Sequence, residues 1–470
     1  MSDLNPSNQK PIDSGILDTL GNIVGHSNLL TSQADCLAYG YDNSKLQAMP
    51  QAVILAEDTE QLEKIVALCY EHKVPLIARG RGTGTTGATV PTEGGIVLSF
   101  ERMNRILEID ADNRVARVQP GVLNQTLQDE LGKQGFFWPP DPTSAANCTI
   151  GGNLAYNSAG PRAVKYGTPR ENTLALSAID GTGKKFTTGV KTTKGVVGYD
   201  LTRLLIGSEG TLAVITEATL KLTPSAAEKR TMQACFSSVN AAAEAVSAIM
   251  AQPETPCALE IMDEAAINMV RQYSDLGLDE SIKAILMIEV DGNSHSLPQS
   301  IEAIGSACQN TGLVSYEIAH DHETVQRLWK TRKALSPALR NIAPQKINED
   351  VVVPVSRIPD LIQGLQKISA EFQIQIVNFG HAGNGNIHVN MLMDTRNPVH
   401  VKNSDDCLQA IFELVLKLQG TLSGEHGVGL VKRDYIGLEL DQHSLELMRL
   451  IKQQFDPGNI LNPGKTLPAP

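Results

Sequence analysis

The sequence predicts a mixed α/β protein of the α+β kind, built from more than one domain. Three observations predict it. The chain has 470 residues, and single hydrophobic cores rarely grow past about 250–300 residues. Residues 51–80 read as strand, helix, strand, which is how α/β architecture begins. After Pro224 the texture changes to strands alternating with helices, with a histidine-bearing hairpin late in that region.

The elements follow in order. QAVILA (51–56) and VPLIARG (74–80) are strands, and residues 58–72 between them form a helix. Leu62, Ile65, Val66 and Cys69 recur at helical spacing and give it one apolar face. Thr59 is its expected cap. GIVLSF, RILEID and NRVARVQPG are further strands, followed by a helix from Val122 to about Leu131. Residues 139–167, PPDPTSAANCTIGGNLAYNSAGPRAVKYG, read as a long loop, packed through Ile150, Leu154 and Tyr156. Residues 207–224 add a glycine turn and an alternating strand. Beyond Pro224, TMQACF, CALEIMD, AILMIEV and VSYEIA are strands. Helices are expected at about 239–251, 264–273, 296–310 and 322–341, on one face of the resulting sheet.

Composition excludes several functions. A net charge of −12 opposes a nucleic-acid partner, which needs a basic surface. Seven cysteines stand far apart with no CxxC. That excludes an iron–sulfur cluster or a cysteine-type zinc site and predicts reduced thiols. The N-terminus is polar and lacks an apolar signal region. No apolar run of roughly 18 residues offers a membrane span. The expected location is the cytoplasm, with peripheral attachment at the inner face of the membrane left open.

Three stretches carry chemistry. In RGRGTGTTGA (79–88), Gly82, Gly84 and Gly87 fit GxGxxG. A dinucleotide fingerprint needs a helix directly afterwards, and Pro91, Gly94 and Gly95 block one. What remains is a loop of closely spaced backbone N–H groups beside Arg79 and Arg81, suited to a pyrophosphate. In NFGHAGNGNIHVNM (378–391), His381 and His388 flank an Asn-Gly turn, a strong hairpin signal. Pairing across that turn brings both imidazoles toward one point. In GTLSGEHGVG, Glu425 and His426 are adjacent. Two histidines, a carboxylate and a further histidine suit a divalent metal plus a general base.

RGRGTGTTG, PPDPTSAANCTIGGNLAYNSAG, GYDLTRLLIGSEGTLAVIT, GHAGNGNIH, SGEHGVG and FDPGNILNPGK occur in this order. Together they resemble the FAD-linked D-2-hydroxyacid dehydrogenases of the vanillyl-alcohol oxidase/p-cresol methylhydroxylase superfamily. That group includes D-lactate dehydrogenase, D-2-hydroxyglutarate dehydrogenase and the glycolate oxidase flavin subunit. The resemblance covers roughly residues 35–465. It implies an FAD-binding domain of two subdomains over 1–225, a substrate-binding cap of α+β type over 226–420, and a C-terminal segment, 421–470, returning to the flavin.

By the same resemblance, Arg79, Gly80, Arg81, Gly82, Thr83, Gly84 and Gly87 form the pyrophosphate loop. Pro140, Thr143, Ser144, Gly151, Gly152 and Asn157 line the flavin. Glu209 and Ile215 bind the adenosine half, and Asn462 approaches the ring. Thr83 stands where some relatives place a flavin-linking histidine, so noncovalent FAD is expected. Asn384 departs from the aspartate many relatives carry in the hairpin. The implied reaction moves a hydride from a D-2-hydroxyacid, D-lactate foremost, to flavin N5. His381, His388 and Glu425 are the expected ligands of Zn²⁺ or Mn²⁺, and His426 is the expected base. Arg332, Lys346 and Asn390 are expected to hold substrate. With no cluster or haem motif, electrons leave to an external acceptor, a quinone or an electron-transfer protein. A homodimer is left open.

Overall fold

The structure is a computed structural model that describes residues 11–273, 278–329, 335 and 345–469. It divides into two compact units. The first comprises residues 1–160, 167–225 and 425–470, and the second comprises 161–166 and 226–424.

The first unit holds two main sheets. Its N-terminal sheet contains β1 (Leu29–Leu30), β2 (Ala52–Leu55), β3 (Leu76–Arg79) and β4 (Ile96–Ser99) in the order β1-β2-β4-β3. β2 and β3 both run parallel to β4, as a strand–helix–strand crossover requires. The crossover helix, Thr59–His72, is capped by Asp58, whose carboxylate accepts from the Gln61 amide at 2.8 Å. The sequence pointed to Thr59; Asp58 wins because its extended backbone sets the side chain against the first turn. Leu62, Ile65, Val66 and Cys69 are all fully buried in this unit's core. Each of the three aliphatic side chains contributes about 1.5–3 kcal/mol of burial.

The second sheet is antiparallel. It contains β5 (Ile106–Asp110), β6 (Val115–Val118), β8 (Thr173–Asp180), β9 (Lys185–Gly189) and β10 (Ala213–Lys221) in the order β5-β6-β10-β8-β9. A two-residue strand, β7 (Phe136–Phe137), pairs with β11 (Thr223–Pro224). The long loop of 139–167 is not all loop. Thr149 accepts from the Gly152 amide and starts a helix over Ile150–Tyr156, which Asn157 closes in the left-handed region. Gly151 and Gly152 mask that helix in the sequence, because glycine is a poor helix former. Tertiary packing of Ile150 and Leu154 overrides them.

The second unit is one seven-stranded sheet in the order β15-β12-β14-β13-β17-β18-β16. Its strands are β12 (Glu228–Phe236), β13 (Ala258–Met262), β14 (Ala284–Gly292), β15 (Leu313–Ile318), β16 (Gln345–Val352), β17 (Gln375–His381) and β18 (Asn386–Met393). Every pairing is antiparallel. Helices at Val239–Ala251, Leu297–Ala307 and Ile358–Phe372 abut the sheet, and Pro398–Lys417 packs on the last of these. The expectation of helices on one face fails for Glu264–Tyr273. Its Ala266, Ile267, Met269 and Val270 pack on Cys235, Ile285, Met262 and Phe379, which share a face with both hairpin histidines in the strand registers. Of the helix expected over 322–341, only 322–329 and Leu335 are described, and they are helical. No helix among the described residues is long and apolar enough to cross a membrane. All seven cysteines are free and buried.

Candidate functional site

In the second unit, β17 and β18 pair as a hairpin with His381 opposite Asn386 and Phe379 opposite His388. The turn is a tight 3-10 segment, Ala382–Asn384, closed by Gly385 at φ +72°. A Cβ on Gly385 would run into the Val353 carbonyl, so only glycine fits. Side chains two residues apart share a face of a strand. The pairing therefore sets the two imidazoles edge to face, 5.2 Å between centroids. Both are buried.

The neighbouring strands supply carboxylates. Glu260 lies opposite His381 in the β13–β17 register, is itself buried, and accepts a hydrogen bond from His381 Nδ1. A histidine so held presents Nε2 to a metal, the usual arrangement around a ligating imidazole. Asp350 lies opposite His388 in the β16–β18 register. Its carboxylate accepts from Ser423 Oγ at 3.2 Å and from the Gly424 amide at 2.9 Å, which fixes the residue preceding Glu425. Nitrogen donors beside a carboxylate suit Zn²⁺ or Mn²⁺. Sequence reasoning missed Glu260 and Asp350, since strand pairing far apart in the chain places them there.

Asn390 is fully buried on the same face. Its Nδ2 donates to the Val377 and His388 carbonyls, and its Oδ1 accepts from Asn348 Nδ2. The sheet thus uses both of its donors. Lys346 is exposed, on the same face, opposite Leu392. Arg332 lies outside the described residues. Asn384 is exposed at the hairpin turn.

The first unit holds a cleft lined by Arg79, Gly80, Thr89, Phe100, Pro120, Thr149, Gly151, Gly152, Tyr156, Glu209 and Ile215, among others. The glycines are tightly backed: a Cβ on Gly80 would strike Thr149 Oγ1, and one on Gly151 would meet Pro120. A wall of bare backbone lets a flat, phosphate-bearing cofactor approach main-chain N–H groups. FAD fits that chemistry.

Several expected cofactor residues also make hydrogen bonds within the protein. The Arg79 guanidinium donates to the Tyr41 carbonyl at 2.8 Å, the Ala38 carbonyl at 3.2 Å and Thr89 Oγ1 at 3.2 Å. Burial pulls its pKa down. It braces the N-terminal segment while lining the cleft. Arg81 is half exposed and pairs with Glu101 at 3.5 Å. Gly82 and Gly87 have positive φ. The Thr83 and Gly84 carbonyls accept from Asn43. Pro140 is buried and its carbonyl accepts from Asn124, while Thr143 is exposed. The Ser144 carbonyl accepts from the Asn147 and Cys148 amides. Asn157 Oδ1 takes Thr168 Oγ1 and the Arg170 amide, so it closes a loop.

Glu209 lines the cleft, but its carboxylate turns to the protein. It accepts from the Val428 amide, the Gly429 amide and Thr466 Oγ1. Burial raises its pKa. Asn462 Nδ2 donates to the Glu209 carbonyl at 2.7 Å, and Lys465 Nζ donates to Asn462 Oδ1 at 2.7 Å. Lys465 is buried, and burial drives its pKa down to about 7. Glu425 and His426 are half-buried in this unit. The Glu425 carboxylate accepts from the Gly160 amide at 2.8 Å and the Ala159 amide at 3.3 Å.

Comparisons with known proteins bear on this geometry. Residues 225–466 match the family described as FAD linked oxidases, C-terminal domain, and residues 50–189 match FAD binding domain. The chain is 40% identical over 455 residues to glycolate oxidase subunit GlcD of Bacillus subtilis (strain 168), covering 97% of each. It is 35% identical over 440 residues to a D-lactate dehydrogenase of Archaeoglobus fulgidus, covering 92% of this chain and 95% of that one. In structure it resembles p-cresol methylhydroxylase with substrate bound, at TM-score 0.79, 17% identity and 97% coverage of both chains. It also resembles 4-ethylphenol oxidase from Gulosibacter chungangensis, at TM-score 0.77, 19% identity and 97% coverage of both.

Proposed function

Since the chain belongs to the FAD-linked oxidases, we propose that it oxidises a D-2-hydroxyacid, D-lactate foremost, to the 2-oxoacid. It is an FAD-dependent oxidoreductase that acts on hydroxyacids. The observation that carries the finer reading is the buried His381–His388 pair with Glu260 behind His381.

His381, His388 and Glu425 are the proposed ligands of a divalent ion, zinc or manganese. Glu425 follows Gly424, which Asp350 holds beside the His388 strand. A bound ion there would acidify the substrate hydroxyl. Bound FAD supplies the hydride acceptor. His426 takes the hydroxyl proton on a ring nitrogen. Adjacent residues in an extended segment face opposite ways, which lets Glu425 and His426 divide these tasks. Arg332 and Lys346 hold carboxylate by charge-assisted hydrogen bonds. An external acceptor, a quinone or an electron-transfer protein, would take the electrons onward. The protein acts in the cytoplasm or against the inner face of the membrane.

A second reading has an observation of its own. Lys346 is four residues from Asp350 along β16, roughly 13 Å at strand rise. With Arg332, it would supply a second cation for the far carboxylate of D-2-hydroxyglutarate. Glycolate is the third substrate to test, on the name of the Bacillus relative. The deciding experiment is anaerobic flavin bleaching with D-lactate, L-lactate, glycolate and D-2-hydroxyglutarate, with and without chelator. D-lactate should bleach the flavin, L-lactate should not, and chelator should abolish the response. Equal bleaching by both lactates, or full rates after exhaustive chelation, refutes the reading.

A further inference from the structure

We propose that Glu209 is a positioning residue for His426, a clasp on the loop that carries the base, in place of the adenosine contact its motif implied. The inference rests on the reading of His426 as base and adds the device that holds it.

The geometry is local to the first unit. Glu209 Oε1 accepts from the Val428 amide at 2.5 Å, and Oε2 accepts from the Gly429 amide at 2.8 Å and Thr466 Oγ1 at 2.6 Å. Three protein donors thus converge on one carboxylate. The same loop is also held by Thr86. Its hydroxyl donates to the His426 carbonyl at 3.2 Å, and its carbonyl accepts from the Leu430 amide at 2.8 Å and the Val431 amide at 3.2 Å. The backbone is therefore pinned at His426 itself and at residues 428–431 directly after it.

The backbone shows that this arrangement is imposed. Glu209 sits at φ +53°, a region that residues with a Cβ rarely occupy and that persists where surroundings over-determine it. Gly427 sits at φ +78°, and a Cβ there would collide with Glu209 Oε1. A Cβ on Gly429 would collide with the Thr86 carbonyl. The glycines after His426 are thus the residues that let the clasp close. A carboxylate already saturated by protein donors is poorly placed to recognise a ribose.

Glu209→Gln tests the clasp, because one acceptor oxygen becomes an NH₂ group facing a donor. The holoenzyme should keep its flavin content. Flavin reduction at saturating hydroxyacid should fall roughly 10- to 100-fold, the scale of a misplaced catalytic group, with KM near the wild-type value. Backbone amides of residues 427–431 should exchange faster with deuterium. Loss of FAD with unchanged exchange would restore the cofactor role and overturn the proposal, as would a wild-type rate per bound flavin. His426→Asn, run in parallel, separates the two claims. A wild-type rate in that variant refutes the base, while the exchange data still decide the clasp. If Glu209→Gln does not accumulate as folded holoenzyme, Thr466→Val removes one donor only. The same pattern at smaller size supports the clasp, and unchanged exchange at 427–431 overturns it.

Discussion

At the residue scale, the two histidine roles separate by what each variant loses. His388→Ala should lose metal and activity together, since removing one of the three proposed protein ligands opens the coordination sphere. His426→Ala should keep metal and FAD but reduce its flavin roughly 10²–10⁴-fold more slowly, the range for a positioned general base. Elemental analysis and stopped-flow bleaching read both; a metal-free His426→Ala would reverse the assignment. Glu260 behaves differently again. It touches His381 Nδ1 and, under the proposed reading, would tune a bound metal through that ring. Glu260→Gln should weaken metal affinity about 10–100-fold with FAD content unchanged, as measured by competition with a chromogenic chelator. If affinity is unchanged, Glu260 merely satisfies a buried imidazole. Glu260 was invisible in the sequence: it lies in ALEIM, which reads as an ordinary strand. Only its register opposite His381 gives it a role.

At the level of elements, the β17–β18 hairpin is the part most legible beforehand. Alternating strands flanking Asn-Gly predict the pairing, and period-two geometry then puts His381 and His388 on one face. The helix at Ile150–Tyr156 was not legible, because Gly151 and Gly152 lower its local propensity while buried Ile150 and Leu154 hold it from outside. The cap at Asp58 was missed by one residue, within ordinary boundary scatter. The glycine loop was read correctly as no dinucleotide helix, but Arg79 was not read as a brace, since its three acceptors come from residues 38, 41 and 89. The hairpin also yields a test. Gly385→Ala needs a Cβ where the Val353 carbonyl stands, at positive φ. Backbone cannot yield as a side chain tip does, so a loss of about 2–4 kcal/mol is expected from strain plus displacement. Urea denaturation measures it, and metal content should drop in the surviving fold. A change under about 0.5 kcal/mol, as at an ordinary surface site, would show that the turn relaxes without cost.

For the whole molecule, Thr83 in the glycine loop predicts that acid precipitation releases intact FAD; yellow colour left in the pellet would refute noncovalent binding. Stability carries a further signature from Lys465. Burial lowers its pKa from 10.5 to about 7, against the opposing pull of Asp42, Glu209 and Glu93. The unfolded chain therefore holds this proton between about pH 7 and 10.5 while the folded chain does not. Stability from this group must rise with pH across that window. Below it both states are charged and the cost of burial is constant; above it neither is charged. The slope is at most about 1.4 kcal/mol per pH unit. Lys465→Met removes the titration and also the hydrogen bond to Asn462 Oδ1, an offset of about 1–3 kcal/mol that does not vary with pH. Tyrosine and cysteine ionisation is common to both proteins, so the wild-type minus Lys465→Met difference isolates the lysine. Denaturant midpoints of the flavin-loaded proteins at fixed ionic strength should diverge steadily in favour of wild type from pH 7 to 10. Parallel curves would mean that Lys465 keeps its charge in the fold and that Glu209 and Asp42 outweigh its burial.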